Sequence, residues 1–301
     1  MKLNLRLILF TFSLIIVLNL SSTIACTIIS ASNGKTVLFG ANEDQPPKSS
    51  FLVVDNSGTL GVIYFATPWQ QLPLVMQMGI NEMGLSYDTN WIPKEKLIPH
   101  PERNAQYEWA ILTLMKKCAT VEEVLSKIFT YRWGNSISYQ IHFADKSGNA
   151  AVIYPGVDGE MTYSKKTEGN SWLITTSFNQ ARREKVSWSF LDFVYSSLFD
   201  GKYKTADKML SKVGNENNLT VEYLTSVLNA THRDWLFDTR FSIKTIYSAV
   251  YDLNHLQIYL YFNRQFDKPF VLNVKKELAK TELYKEVSLK ELVSDMNTGM
   301  N

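Results

Sequence analysis

Residues 26–44 read CTIISASNGKTVLFGANED and carry the strongest fold signal in the chain. Two β-forming runs flank Asn33-Gly34, and Asn-Gly between such runs is typical of a two-residue hairpin turn. The pattern predicts that the two runs pair antiparallel, with Cys26 at the outer end of the first strand. Asp44 is expected just past the end of the second strand. The hairpin would therefore bring residues 26 and 44 close together in space.

Farther along, β-rich and helical segments alternate in blocks. Strands are predicted between residues 51 and 90 and again between 138 and 176. The predicted helices are Ala105–Lys117, a second one opening at the capping box of Thr120, and a later block at Lys185–Phe199, Thr205–Val213 and Val221–Leu228. Two final strands are predicted at Thr245–Tyr251 and Leu256–Phe262. Strands and then helices, twice over, indicate an α+β fold of antiparallel sheets covered by segregated helices.

The N-terminal segment has the pattern of a cleavable signal peptide. Two basic residues lie within the first six positions, an apolar run covers residues 7–20, and Thr23-Ile24-Ala25 forms a small-residue cleavage site. We therefore expect residues 1–25 to be removed and the protein to be secreted or periplasmic. Residues 26–301 contain no linker, repeat or low-complexity block, which predicts a single domain.

Two other interpretations of this segment remain open. A permanent membrane helix is less favoured because the apolar run is shorter than the roughly 20 residues that a span requires. Attachment of a lipid to Cys26 is the other alternative. It is disfavoured because Thr23 stands where such lipidation sites normally have leucine.

The charge pattern excludes nucleic acid as a partner. The chain has 31 Lys and Arg against 29 Asp and Glu, and the basic residues are scattered among acidic ones. Phosphate binding requires a clustered basic surface, which the sequence lacks. We therefore expect the partner to be a small molecule.

The chain has only two cysteines, Cys26 and Cys118, too few for a disulfide framework in an exported protein. Cys118 falls in a helical pattern, where a thiol usually behaves as a small buried apolar group. A disulfide between the two residues is an alternative, but it would block the chemistry of Cys26.

Removal of the signal peptide would give Cys26 two reactive groups. It frees an α-amino group, with an ordinary pKa of about 7.7–8.0, on the residue that carries the thiol. The amine can accept the thiol proton, the sulfur can attack an amide carbonyl, and the amine can return the proton to the leaving nitrogen. This chemistry needs no histidine, metal or cofactor, and the four histidines form no recognisable catalytic or metal-binding motif.

Several segments in order resemble the choloylglycine hydrolase and penicillin V acylase family of N-terminal-nucleophile hydrolases. The resemblance begins with Cys26-Thr27 and LFGANED at residues 38–44. It continues with GINEMGL at residues 79–85, followed by Asn90, and with CATVEE at residues 118–123. The stretches at 142–152 and 247–252 are similar too, so the correspondence spans nearly the whole chain after residue 25.

The resemblance implies a four-layer αββα sandwich of antiparallel sheets and a homo-oligomer as one option for assembly. Cys26 would be the nucleophile, Asp44 would hold its α-amino group, and Asn90 would polarise the substrate carbonyl. Each of the last two residues also has an ordinary interpretation. Asp44 would then cap a turn beside Pro46-Pro47, and Asn90 would be a loop asparagine.

The sequence also departs from the family pattern at three positions. Ala41 stands where the family usually has Arg, Ser189 falls where a helical Arg is expected, and Thr176 stands where another Asn is expected. Asn179 would replace that Asn only if its loop turns back. Two hypotheses follow: an exported amidohydrolase that cleaves linear N-acyl bonds, or a weakened or inactive relative that acts as an exported or lipid-anchored binding protein.

Overall fold

The structure is a computed structural model that describes residues 26–46, 48–69, 72–167, 169–182, 201–213, 218–233 and 243–298. The predicted signal peptide, the predicted helix Lys185–Phe199 and Ser189 lie outside these residues. In the part of the chain that is described, no helix is long and apolar enough to cross a membrane.

The first sheet has six antiparallel strands, numbered along the chain. Their spatial order is β12 (Trp172–Thr175), β1 (Thr27–Ser32), β2 (Val37–Gln45), β13 (Lys244–Asp252), β14 (Gln257–Phe262) and β15 (Phe270–Asn273). The predicted hairpin is confirmed: β1 and β2 pair from Ser32 opposite Val37 to Thr27 opposite Asn42. The turn between them contains Gly34 at φ 85, a left-handed conformation that favours glycine.

The second sheet has eight antiparallel strands. Their spatial order is β11 (Met161–Lys165), β10 (Ala150–Pro155), β9 (Ser136–Ala144), β6 (Ser86–Lys96), β5 (Leu72–Asn81), β4 (Val62–Trp69), β3 (Phe51–Asp55) and β16 (Tyr284–Ser288). Two short segments, β7 (Asn104–Gln106) and β8 (Tyr131–Arg132), form a separate parallel pair.

Six α-helices accompany the sheets in the part of the chain that the structure describes. They are α1 (Tyr107–Met115), α2 (Val121–Ile128), α3 (described over residues 201–210), α4 (Val221–Thr231), α5 (Val274–Ala279) and α6 (Leu289–Thr298). The predicted start of α2 is confirmed, because the Thr120 side chain accepts a hydrogen bond from the backbone N–H of Glu123 at 3.2 Å.

Three apolar clusters define four layers. The central cluster lies between the sheets and includes Phe39 from β2 and Phe65 from β4. A second cluster packs α1 and α2 on the outer face of the second sheet, and a third packs α3 and α4 on the outer face of the first. Successive residues of β1 show the alternation that this requires, since Ile28 enters the central cluster and Ile29 the outer one. The fold is the αββα sandwich expected of an N-terminal-nucleophile hydrolase.

Some predicted boundaries are wrong for reasons of tertiary structure. Asp44 lies inside β2, not beyond its end, because β13 pairs with β2 as far as Gln45. The helix predicted from Ala105 begins at Tyr107, because the residues before it pair with β8. Cys118 lies in the turn between α1 and α2 and not within a helix; it is buried and free, as is Cys26.

Gly79 on β5 is a position where close packing of the second sheet can be tested. A Cβ atom there would lie 2.7 Å from Cδ1 of Tyr64 and 3.0 Å from the carbonyl oxygen of Ile63. We predict that Gly79→Ala lowers the free energy of unfolding by about 1–3 kcal/mol, because a packed core tolerates added volume poorly. Urea unfolding measures the change.

The matched control is Gly201→Ala in the described part of α3, where a Cβ would have no neighbour within 4 Å. There alanine should leave stability unchanged or raise it by up to about 1 kcal/mol, because it is the better helix former. Equal effects of the two substitutions would contradict the packing argument.

Candidate active site

Cys26 lies at the entry to β1, with its side chain between the two sheets. The hairpin register pairs Thr27 with Asn42, so that the next pair is Cys26 and Glu43 on the face that looks toward the second sheet. The thiol of Cys26 donates a hydrogen bond to Oε2 of Glu43 at 3.7 Å. Only 2% of the Cys26 surface is exposed, so the thiol is held in a largely dry environment.

Two further groups hold Cys26 in place. The backbone N–H of Asp44 lies close enough to the sulfur to lower the pKa of the thiol. The side-chain amide of Asn90, from β6 of the opposite sheet, donates to the carbonyl oxygen of Cys26 at 3.0 Å. Because Asn90 lies within β6, the loop-asparagine interpretation is wrong. The structure brings together three of the residues predicted for the site, Cys26, Asp44 and Asn90.

The carboxylate of Asp44 points away from the sulfur. It accepts hydrogen bonds from the hydroxyl of Thr245 and, at 2.5 Å, from Nζ of Lys202 on α3. Alternation along β2 explains this, since Glu43 faces the second sheet and Asp44 the helical layer. The turn-capping interpretation of Asp44 is wrong, because the residue lies within a strand and its partners are distant in sequence. Its predicted role at the α-amino group of Cys26 stays a prediction.

Asn179 is engaged elsewhere in the described chain. Its Nδ2 donates to the carbonyl oxygen of Pro155 at 3.0 Å and to Oε1 of Glu95 at 3.3 Å, and it makes no described hydrogen bond to Cys26. Thr176 lies next to the end of β12, and its buried hydroxyl has no hydrogen-bond partner among the described residues. The catalytic role suggested for Asn179 remains a prediction without a supporting contact.

Two buried acids, Glu43 and Asp88, belong to the site but were not selected from the sequence. Glu43 is quoted within the LFGANED motif, and the hairpin register alone would have placed it beside Cys26. Asp88 projects from β6 toward the same space and is fully buried, but in the polar sequence of that strand no local signal distinguishes it. Their significance becomes visible only when the two sheets are stacked.

Burial dominates the acid–base behaviour of these groups. Burial, followed by the effect of Asp44, raises the pKa of Glu43, and burial together with Glu43 raises the pKa of Asp88 well above its usual value. Burial also raises the pKa of the Cys26 thiol, and the acids Glu43, Asp88 and Asp44 raise it further. The N–H of Asp44 opposes this effect. The thiol therefore rests in its protonated form.

Where the resemblance would place a cationic group beside the thiol, the structure has an apolar one. Ala41 is fully buried in the central cluster between the sheets. All the charged groups that shift the pKa of Cys26 in the described chain are acidic. The described residues of the chain also contain no group of three or more His, Cys, Asp and Glu placed to hold a metal ion.

A neutral histidine completes the polar layer between the sheets. His142 on β9 contacts the hydroxyl of Ser30 through Nε2 at 3.0 Å and that of Thr175 through Nδ1 at 3.1 Å. Burial lowers the pKa of His142 to about 3. The histidine is thus uncharged at neutral pH and joins β1, β12 and β9 through hydrogen bonds.

Comparison with known proteins agrees with this geometry. Residues 30–266 match the family described as acyl-coenzyme A:6-aminopenicillanic acid acyl-transferase. The chain belongs to this family. No curated protein matches the sequence of this acyltransferase-family member.

Solved structures show the same fold at low sequence identity. Conjugated bile acid hydrolase from Clostridium perfringens superimposes with a TM-score of 0.66 and 12% identity, covering 88% of this chain and 96% of that protein. A second variant of that hydrolase gives the same TM-score and identity. Penicillin V acylase from Agrobacterium tumefaciens gives 0.60 and 14%, covering 88% and 91% of the two chains.

The buried histidine makes the stability of this family member depend on pH. His142 has a pKa of about 3 when folded and about 6.5 when unfolded, so below pH 6.5 protons bind the unfolded chain first. Protonation of His142 therefore does not affect the free energy of unfolding above pH 6.5, and it lowers that free energy progressively as the pH falls from 6.5 toward 3. We predict that, from pH 7 to pH 5, the free energy of unfolding of the wild type falls by about 1–2 kcal/mol relative to that of His142→Gln.

Urea unfolding of both proteins at the two pH values measures this difference. Glu43 and Asp88 are present in both chains, so their opposite pH dependence cancels in the comparison. Parallel pH profiles for wild type and variant would contradict a neutral, buried histidine.

Proposed function

We propose that the protein is an exported amide hydrolase whose nucleophile is the thiol of Cys26, made N-terminal by removal of residues 1–25. One observation carries the proposal: the thiol lies between the sheets of this fold, hydrogen-bonded to Glu43, while the side-chain amide of Asn90 donates to the carbonyl oxygen of the same residue. The family match and the two hydrolases of the same fold support amide chemistry.

The reaction follows from the groups on Cys26 and its neighbours. As the thiol proton leaves, the sulfur attacks the amide carbonyl carbon and forms a tetrahedral intermediate. The C–N bond breaks, the amine leaves with a proton, and an acyl thioester remains on Cys26. Water then attacks the thioester, and the acid and the free thiol are released. The N–H of Asp44 favours the first step because it stabilises negative charge that develops on sulfur.

The substrate class proposed is a small linear N-acyl amide. The printed names of the neighbours refer to conjugated bile acids and penicillin V, which are acylated amines of different shape. With Ala41 at the position where the family pattern has Arg, no positive charge is offered there to a negatively charged group of the substrate. A panel of N-acyl amides that varies the charge of the amine portion therefore has priority in an assay.

Replacement of the nucleophile tests the proposal directly. We predict that Cys26→Ala lowers kcat/KM for any N-acyl amide substrate by at least about 1000-fold, because no covalent intermediate can form. Release of the amine from the panel, with protein whose first residue is verified by intact mass, measures the loss. The matched control is Cys118→Ala, which removes the other buried thiol at a position on the far face of the second sheet.

Two results would contradict the proposal. One is turnover by Cys26→Ala at the wild-type rate, and the other is an exported protein that carries a lipid on Cys26 or begins at a different residue. Loss of activity in Cys118→Ala together with retained activity in Cys26→Ala would show that Cys118, and not Cys26, is the nucleophile.

A further inference from the structure

Glu43 is the one titratable side chain in the described chain that hydrogen-bonds the Cys26 thiol. Its position is fixed by the backbone, because it is the cross-strand neighbour of Cys26 in the β1–β2 hairpin. Its Oε2 accepts the S–H, while Oε1 is buried and has no hydrogen bond of normal geometry. A carboxylate held against a thiol in a dry site is placed to accept its proton.

Asp88 completes a pair of acids across the gap between the sheets. Its Oδ1 accepts the backbone N–H of Thr89 at 2.5 Å, and its Oδ2 is buried without a partner of normal geometry. The two carboxyls are nevertheless close enough to shift each other's pKa. Two buried acids so placed cannot both ionise readily, so a negative charge on one opposes the loss of the proton from the other.

We propose that Glu43 is a catalytic acid–base residue that accepts the Cys26 thiol proton and returns it to the leaving amine, with Asp88 on the opposite sheet as its positioning residue. This inference rests on the proposed function. It adds a proton acceptor that does not depend on the α-amino group of Cys26.

The proton balance closes over the catalytic cycle. The S–H proton moves to Oε2 of Glu43 as the bond between sulfur and the carbonyl carbon forms. When the C–N bond breaks, the same proton goes to the departing nitrogen, and Glu43 is a carboxylate again. In deacylation Glu43 takes a proton from the attacking water and gives it to the sulfur as the S–C bond breaks. The sum is amide plus water giving acid plus amine.

The surroundings of the thiol favour such a base over a preformed thiolate. The charged neighbours of Cys26 in the described chain are acidic, and they oppose a second negative charge on sulfur. A proton that leaves in the same step as the attack avoids that charge. The neutral S–H resting against Glu43 is the state that this mechanism requires.

The pair should impose a defined pH dependence. The titratable groups that act on Glu43 are Cys26 at the entry to β1, Asp88 on β6, Tyr247 and Tyr251 on β13, and, from the opposite face of β2, Asp44. Burial raises the pKa of both tyrosines well above the usual value, so they stay neutral. The rate should rise with pH as the acid pair loses its first proton, and it should be lost below that point because a fully protonated pair accepts nothing.

The test compares Glu43→Gln with wild type in two assays. The first is the rate of Cys26 alkylation by iodoacetamide between pH 5 and pH 9, followed by peptide mass so that Cys118 is scored separately. The second is kcat and KM for an N-acyl amide. We expect alkylation at neutral pH to fall at least about tenfold and kcat to fall by about 100- to 10,000-fold, with KM little changed and the acidic limb of the profile lost.

Two further variants separate chemistry from structure. Asp88→Asn removes the second acid, keeps the size of the side chain, and should retain the acidic limb with a smaller loss of rate. Glu122→Gln removes an exposed carboxylate paired with Lys165 and should change neither assay. A Glu43→Gln protein with the wild-type kcat and pH profile would overturn the proposal and leave Cys26 as the nucleophile, with its amine as the base.

A measurement on wild-type side chains covers the case in which Glu43→Gln fails to fold. A chain that keeps Ala25 in front of Cys26 has no α-amino group on the cysteine. If Glu43 is the base, alkylation of Cys26 in this chain keeps the acidic limb seen in the chain that begins at Cys26. Loss of the limb would overturn the role of Glu43. The alkylation assays need no substrate, so they decide this question even if no amide is hydrolysed and the proposed function fails.

Discussion

The register of the β1–β2 hairpin is the constraint on which the site depends. Because Thr27 pairs with Asn42, the backbone places Cys26 beside Glu43 on the inner face, and it places the N–H of Asp44 against the sulfur. A shift of one residue would turn Cys26 toward the helical layer, since strand side chains alternate between faces. The register is specified because both faces are buried, with Ile28 and Ile29 packed in different clusters.

The same register explains why the acids are tolerated in the middle of the molecule. Glu43 and Asp44 are consecutive, so their side chains enter opposite layers and meet different partners. Asp44 is compensated by Lys202 and Thr245, as a buried carboxylate must be. Glu43 has no such cation among its described contacts and lies near a second acid, Asp88, instead. Of the two adjacent acids, Asp44 therefore stabilises the fold through an ion pair, and Glu43 is the one available for proton transfer.

Local sequence signals predicted the parts of the fold that local interactions determine. The Asn33-Gly34 turn and the Thr120 cap each act within a few residues, and both are found where they were expected. The end of β2 was misplaced because its pairing partner, β13, lies about 200 residues away in sequence. The strand at residues 270–273 and the one at 284–288 were missed because both are sheet edges with weak patterns of their own.

The site divides in the same way between local and distant information. Cys26 and its closeness to Asp44 follow from the hairpin, whereas the meeting of Glu43 with Asp88 requires two sheets to stack. The resemblance drew attention to Asp44 and away from Glu43, because family patterns identify positions and not the direction in which a side chain points.

The absence of a cation at position 41 and the presence of the acid pair are two parts of one electrostatic arrangement. A positive group near sulfur would favour a thiolate at rest, and the reaction would then need less help from a base. Ala41 supplies no charge, and it fills the central cluster between Phe39 and the acid at position 43. With the sulfur held neutral, its proton has to leave during the attack, and a proton acceptor must already contact the thiol. Glu43 is in that position. The missing positive charge at Ala41 is therefore compensated by Glu43, which lies two residues farther along the same face of β2.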